Sequence, residues 1–170
     1  MTKQLILMRH AKSDWGAADL ADHDRSLNPR GQAAAPLMAR WLAAHHGVPE
    51  VVLCSTATRT RQTLEKMQAV WDTERQEPSS SEAQFSADLY LATPETILRV
   101  LRAGAGQADS VMVLAHNPGI EMLAATFSQR MVTFPTATVA VFEIELENWS
   151  QLRSDSVLRR IAFKRPTELS

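Results

Sequence analysis

Short apolar runs alternate with longer segments of helical periodicity along most of this chain. The runs Gln4–Met8, Val51–Cys54 and Val111–Ala115 are bounded by polar residues, a pattern typical of buried strands. The segments between them place apolar residues on one face at helical spacing. This alternation predicts an α/β domain of three layers, α/β/α, around a mostly parallel sheet.

Four segments carry signals for helices. The first is predicted from about Pro29 to His46, because Asn28 is a suitable N-cap and proline is favoured at the first helical position. A second helix is predicted over Thr58–Trp71, and a third begins at Thr93-Pro94. Asn117-Pro118 is interpreted as the cap of the fourth.

The segments outside these units are also assigned from their composition. The polar stretch Glu74–Ser86 predicts an exposed loop, and Thr138–Leu146 predicts a longer strand. No linker or repeat divides the chain, so residues 1–165 are expected to form one domain. We expect residues 166–170 to be a poorly ordered tail.

Composition narrows the class of protein. A chain of 170 residues with 45% hydrophobic and 22% charged residues is typical of one soluble globular domain. A net charge of −1 argues against a broad surface for nucleic acid or membrane, so neither partner is expected. The single cysteine, Cys54, lies in an apolar run and is interpreted as a buried hydrophobe. One cysteine and no signal peptide favour a cytoplasmic location.

Residues suited to an anion follow each of the three apolar runs. Arg9-His10 follows the first, Ser55 and Arg59 follow the second, and His116-Asn117 follows the third. Parallel strands bring their carboxyl ends to one edge of a sheet, where ligands bind. Two arginines, two histidines and helix N-termini at one edge predict an oxyanion site, most naturally for phosphate.

These residue types suit phosphoryl transfer. Guanidinium groups can hold the equatorial phosphoryl oxygens, and a neutral imidazole nitrogen can attack phosphorus to form a covalent phosphohistidine. A second, protonated imidazole would add positive charge. The sequence carries no clustered ligand set with metal spacing, so we predict neither a metal nor another cofactor.

Several residues near the predicted site have two interpretations. Arg25 is either a loop partner of Asp22 or Asp24, or a residue of the substrate rim, and we keep it as a substrate-binding candidate. Trp15 either lines the mouth of the pocket or covers the core. Arg61 lies two residues from Arg59 on the predicted helix, so its side chain is expected to face elsewhere, on the surface.

The motifs together resemble the histidine phosphatase superfamily, and within it the small SixA-type phosphohistidine phosphatases. They are Arg9-His10-Ala11-Lys12-Ser13, Ser55-x-x-x-Arg59-Thr-x-Gln-Thr and His116-Asn117-Pro118, supported by Asp22-His23-Asp24-Arg25, Leu27-Asn28-Pro29-Arg30-Gly31 and Leu89-Tyr90. The resemblance covers about residues 4 to 146. It implies a phosphoglycerate-mutase-like fold without the large cap domain.

The resemblance also implies roles for individual residues. His10 takes the position of the nucleophile and His116 that of the second histidine, while Arg9 and Arg59 take the phosphate-binding positions. Asn117, next to His116, is kept as a substrate-binding candidate.

The chain departs from the superfamily in two places. Ala11 replaces the usual glycine after the histidine, which small SixA-type proteins often tolerate. The glutamate that donates a proton in larger members has no firm equivalent, since the nearest acid is Asp88, and Asp14 and Asp24 are the other candidates. A phosphoramidate needs less help from a general acid than a sugar phosphate, so the missing donor favours phosphohistidine.

The sequence therefore predicts a metal-independent phosphatase that acts through phospho-His10, most naturally on phosphohistidine in a protein partner. One alternative is a phosphatase of a small phosphomonoester or nucleotide. Another is a noncatalytic module that binds phosphate or a phosphopeptide. The presence of His10 argues against the module, because binding alone would require only the arginines.

Overall fold

The computed structural model describes residues 1–15, 19–74 and 81–169. Six strands lie in this part of the chain: β1 (Thr2–Arg9), β2 (Val51–Ser55), β3 (Glu82–Ser86), β4 (Ser110–Ala115), β5 (Val139–Glu145) and β6 (Arg159–Lys164). The α-helices are α1 (Pro29–His45), α2 (Thr58–Glu74), α3 (Pro94–Gly104) and α4 (Gly119–Ser128).

The strands form one sheet in the order β3-β2-β4-β1-β5-β6. The first four of these are parallel, while β5 is antiparallel to β1 and β6 is antiparallel to β5. The predicted mostly parallel sheet is therefore confirmed. None of the described helices is long and apolar enough to cross a lipid bilayer.

Side chains of β1 alternate between two separate cores, which makes the three layers. Leu5 and Leu7 pack in the core under α3 and α4, whereas Ile6 and Met8 pack in the core under α1 and α2. All four side chains are fully buried. A strand buried on both faces has an apolar residue at every position, which is why the run was continuous in the sequence.

The predicted helix starts are confirmed for the first three helices. At α1 the Asn28 side chain accepts a hydrogen bond from the Gly31 amide at 2.9 Å, and proline follows the cap. At α3 the Thr93 hydroxyl oxygen accepts from the Thr96 amide at 3.3 Å. These bonds satisfy amides that the helix itself leaves unpaired.

Three parts of the sequence prediction were wrong. Residues 82–86 form β3 rather than a loop, and β6 had no prediction. Both are edge strands with half-exposed side chains, so main-chain pairing rather than an apolar pattern defines them. The expected tail is ordered to residue 169, because Pro166–Glu168 form a 3-10 turn and Leu169 packs on the core under α1. In the rest of the predicted loop, Glu74 is the last residue of α2, Ser81 directly precedes β3, and residues 75–80 lie outside the described residues.

The loop after β1 is tied to both helices beside it. The Ala11 amide donates to the Thr63 hydroxyl on α2 at 3.0 Å. On the other side, α1 approaches the Lys12 backbone so closely that a Cβ added at Gly31 would lie 2.1 Å from the Lys12 carbonyl oxygen. The absence of a side chain at Gly31 therefore sets how closely α1 supports this loop.

We expect Gly31→Ala to lower the free energy of unfolding by about 1–3 kcal/mol, because the backbone must move to admit the methyl group. Urea unfolding followed by circular dichroism measures this loss. The control is Gln32→Ala, an exposed position one residue along the same helix, which should change the free energy by less than about 0.5 kcal/mol. Equal effects of the two substitutions would contradict this account of the contact.

Candidate active site

A cavity of about 590 Å³ opens at the carboxyl edge of the parallel strands. Arg9 ends β1, Ser55 ends β2, and His116 follows the end of β4. All six residues selected from the sequence line the cavity: Arg9, His10, Arg25, Arg59, His116 and Asn117.

The His10 ring is held in one tautomer by the backbone. Its Nδ1 lies 2.7 Å from the Ala11 carbonyl oxygen, which can only accept, so Nδ1 carries the proton. The lone pair is then on Nε2, towards which the Arg59 Nε–H donates at 3.4 Å. The ring is buried.

Burial keeps the His10 ring neutral. Burial, together with the positive charges of Arg59, Arg9 and Arg25, lowers the pKa of His10 from 6.5 to about 3, and the hydrogen bond to Ala11 opposes this shift. Like charges and a low dielectric both disfavour the imidazolium form. A neutral imidazole whose Nε2 carries no proton is the form in which histidine is a nucleophile, and the long contact from Arg59 Nε leaves that lone pair facing the cavity.

His116 lies beside His10, with ring centroids 5.3 Å apart. Its Nε2 is 2.8 Å from the Ser55 hydroxyl oxygen, and the Tyr90 ring contacts it edge-on at 5.4 Å between centroids. Burial, followed by the charges of His10 and Arg59, lowers the pKa of His116 to about 3. The expected imidazolium at this position is therefore absent from the free protein at neutral pH.

Asp22 joins the two arginines on one side of the cavity. Arg59 donates to the Asp22 carbonyl oxygen at 2.7 Å and to its Oδ2 at 3.0 Å. Arg25 donates from Nε and Nη2 to Asp22 Oδ1 at 3.1 and 2.9 Å. The Tyr90 hydroxyl also donates to this carboxylate. The hydrogen bond from Tyr90, with those from Arg25 and Arg59, lowers the pKa of Asp22 well below its usual range, so the carboxylate stays ionised.

The structure combines the two interpretations of Arg25. Besides pairing with Asp22, its guanidinium donates to the Ser13 hydroxyl at 2.6 Å and lines the cavity. It also stacks at 3.6 Å over the ring of Trp15, which is 78% exposed. Trp15 therefore lines the mouth of the cavity and does not cover the core.

Arg9 and Asn117 hold a loop on the opposite side. Arg9 Nη1 and Asn117 Nδ2 both donate to the Phe134 carbonyl oxygen, at 2.9 and 3.0 Å. Glu121 accepts from the Phe134 amide at 2.6 Å and from Asn117 Nδ2 at 3.3 Å. The interpretation of Asn117 as a helix cap is wrong, because its amide is used here and α4 begins at Gly119 without a side-chain cap.

Three buried polar atoms around the cavity have no protein partner within the described residues. They are Arg9 Nε, His116 Nδ1 and Asn117 Oδ1. Buried polar groups are nearly always hydrogen-bonded. Their concentration in residues that line one cavity is typical of a site completed by a ligand or by water.

Sequence reasoning missed Asp22 as a site residue and weighed other acids instead. Asp14, Asp24 and Asp88 do not line the described cavity, and Asp88 pairs with Arg99 at 3.4 Å. Asp22 carried a signal in the sequence, since it lies in the motif Asp22-His23-Asp24-Arg25 that supports the resemblance and had been considered as a partner of Arg25. Glu121 and Tyr90 reach the site through contacts with residues distant in sequence. The helix pattern around Glu121 gave no indication of such a contact.

Arg61 lies away from the site, as predicted. Its guanidinium stacks on the Phe85 ring at 5.6 Å, on the side of α2 that faces β3. In the described parts of the chain, no group of three or more His, Cys, Asp or Glu side chains could hold a metal ion.

Known proteins share this sequence and fold. The family described as the histidine phosphatase superfamily, branch 1, matches residues 5–86. An uncharacterized protein of Mycobacterium leprae is 34% identical, over 94% of this chain and 99% of its own length.

Two solved structures extend the similarity to the whole domain. A candidate phosphohistidine phosphatase SixA from Agrobacterium tumefaciens is 29% identical with a TM-score of 0.78, covering 96% of this chain and 98% of that one. A protein histidine phosphatase SixA complexed with tungstate is 25% identical with a TM-score of 0.74, covering 97% and 98%. The chain belongs to the histidine phosphatase superfamily and is of its small SixA type.

Proposed function

We propose that this protein is a phosphatase that works through a phosphohistidine at His10, requires no metal, and acts on phosphohistidine in another protein. The observation that carries the proposal is the neutral, oriented His10 ring beside three guanidinium groups. Positive charge at the cavity matches the oxygens of a transferring phosphoryl group. A binding module would need these cations but not a nucleophilic nitrogen.

The reaction takes two displacements at phosphorus. In the first, His10 Nε2 attacks, a bond forms between nitrogen and phosphorus, and the bond to the leaving group breaks. In the second, water attacks phospho-His10, releasing phosphate and returning His10 to its neutral form while one proton goes to solvent or phosphate. Arg9 and Arg59 stabilise the charge on the phosphoryl oxygens in both steps.

The state of the acid in the cavity favours phosphohistidine as the substrate. Asp22 is the one carboxylate among the described lining residues, and it is held ionised, so it has no proton to donate. A sugar alkoxide leaves poorly without a proton. An imidazole whose other nitrogen is already protonated leaves as a neutral molecule and needs no donor. The relative named as a protein histidine phosphatase, which binds the tetrahedral oxyanion tungstate, supports the same assignment.

The test is phosphate release from phosphohistidine proteins and from common sugar and nucleotide phosphates, in excess chelator. We expect turnover of the phosphohistidine proteins, and transient labelling of His10 by substrate carrying radioactive phosphate. His10→Ala should abolish turnover and labelling, because no other positioned nitrogen replaces Nε2.

Two controls make this result interpretable. His10→Asn keeps an amide that can bond to the Ala11 carbonyl, so it separates loss of the nucleophile from loss of folding. His45→Ala changes an exposed histidine at the end of α1 and should leave activity unchanged. Preferential hydrolysis of small phosphate esters, or activity lost to chelator, would overturn the proposed substrate or the metal-free mechanism respectively.

The two arginines of α2 should differ sharply in importance. We expect Arg59→Ala to weaken transition-state stabilisation by about 2–4 kcal/mol, as for the loss of one donor to a developing oxyanion. Arg61→Ala should have little effect, because its guanidinium faces Phe85. Comparison of kcat/KM on one substrate measures the difference, and equal losses would show that Arg59 does not contact the phosphoryl group.

The buried histidines should make folding sensitive to acid. Unfolded histidine binds a proton below about pH 6.5, whereas folded His10 and His116 bind theirs only near pH 3. The unfolded state therefore holds more protons between these values, and the free energy of unfolding should fall as the pH drops through this window. Urea unfolding at pH 7, 6, 5 and 4 measures this change. The free energy of unfolding should fall less steeply with decreasing pH in His10→Asn than in wild type or His45→Asn. An unchanged slope would mean that His10 is already protonated in the folded state.

A further inference from the structure

A second groove joins the active-site cavity, and we propose that it binds an acidic segment of the phosphorylated protein substrate. This inference rests on the proposed function. The groove would add selectivity to the proposed phosphatase, because it would favour substrates with negative charge close in sequence or space to the phosphohistidine.

The groove is continuous with the cavity. It has a volume of about 450 Å³ and shares Lys12, Pro135 and Thr136 with the cavity lining. From these shared residues it extends between the first turns of α1 and the 3-10 turn Pro166–Glu168. A chain that places its phosphorylated side chain in the cavity therefore has a path for its neighbouring residues.

The groove is positively charged. Lys12, Arg30 and Arg165 line it, and no acidic residue lies among its described lining. The salt bridges of the described residues include none to Lys12 or Arg30. Arg165 makes one long salt bridge with Glu168 at 3.9 Å, and its guanidinium lies 5.6 Å from the centre of the Phe163 ring. In a chain whose net charge is −1, three cations in one groove are a local concentration of positive charge.

The phosphoryl group does not account for these cations. Its oxygens would be matched inside the cavity by Arg9, Arg25 and Arg59, although Arg25 and Arg59 also pair with Asp22 at 2.9 and 3.0 Å. Arg30 and Arg165 do not line that cavity, so their charges, with that of Lys12 at the junction, are available for a second set of negative groups on the substrate. Such complementary charge at the rim of a site increases the rate of encounter and selects between partners.

The apolar part of the groove lining favours a polypeptide over a second phosphate group. It consists of small and apolar residues, namely Ala33, Ala34, Leu37, Pro135 and Pro166. A second phosphate would be served by cations alone and would leave this surface uncovered. A peptide segment that has both carboxylates and aliphatic side chains can pair with the cations and also cover the apolar part of the lining.

The test compares two phosphohistidine peptides that are identical except that one has glutamate and the other glutamine at the flanking positions. Wild type should hydrolyse the glutamate peptide with a kcat/KM roughly tenfold higher at low salt, the sum expected of a few exposed ion pairs. Added salt should reduce this preference. Arg30→Glu combined with Arg165→Glu should remove it, while hydrolysis of the glutamine peptide stays within about twofold.

A matched control changes the same amount of charge elsewhere. Arg40→Glu combined with Arg153→Glu reverses two exposed arginines outside the groove and should keep the preference for the glutamate peptide. A further comparison uses a sugar bisphosphate against the corresponding monophosphate. If the Arg30 and Arg165 reversals affect the bisphosphate instead of the acidic peptide, the groove binds a second phosphate and the proposal is overturned.

The outcomes also separate this proposal from the proposed function. Equal hydrolysis of the two peptides by wild type, or the same loss in both double variants, overturns the role of the groove and leaves the phosphatase assignment standing. Hydrolysis of neither peptide, with turnover of small phosphates, overturns the substrate class and the groove together.

Discussion

The parallel pairing of β1, β4 and β2 is the constraint on which the site depends. β1 pairs with β4 so that Arg9 is opposite Ala115, and β4 pairs with β2 so that Leu114 is opposite Cys54. These registers end the three strands on one line. Because a strand's register is held by a buried face on each side, the residues that follow the strands cannot shift without exposing apolar side chains.

Charge balance is the second constraint, and Asp22 is central to it. Arg9, Arg25 and Arg59 repel each other across the cavity, since each is at least partly desolvated and carries a fixed charge. The Asp22 carboxylate lies between Arg25 and Arg59 at 2.9 and 3.0 Å and offsets part of this repulsion. On the opposite side of the cavity, the negative charge of Glu121 stabilises the charged form of Arg9 and opposes the lowering of its pKa by burial. The cavity can therefore keep its cations close together while both histidines remain neutral.

This balance links the chemistry to the substrate class. The acid that stabilises the arginines is ionised by them and cannot also donate a proton, so the site is suited to leaving groups that depart without one. This fold has no large cap over the cavity. Trp15 lies at the mouth of the cavity, and the basic groove joins the cavity at Lys12, Pro135 and Thr136. This arrangement is compatible with the proposed substrate, a phosphorylated side chain on another protein.

Local sequence carried the core of this description because its signals act within a few residues. Apolar runs that end in Arg9-His10, Ser55 and His116, and the caps at Asn28 and Thr93, predicted strands, helix starts and the residues around the cavity. A buried strand or a capped helix is defined by neighbouring side chains and their spacing.

Tertiary structure alone decided the features made by contacts between distant residues. Tyr90 reaches Asp22 across 68 positions, and Arg9 reaches Phe134 across 125. The edge strands β3 and β6 form through main-chain pairing that their side chains do not encode, and Arg165 joins Arg30 at the groove only because the C-terminal turn packs beside α1. Such contacts depend on how whole elements pack, so the spacing of residues along the chain contains no periodic signal for them.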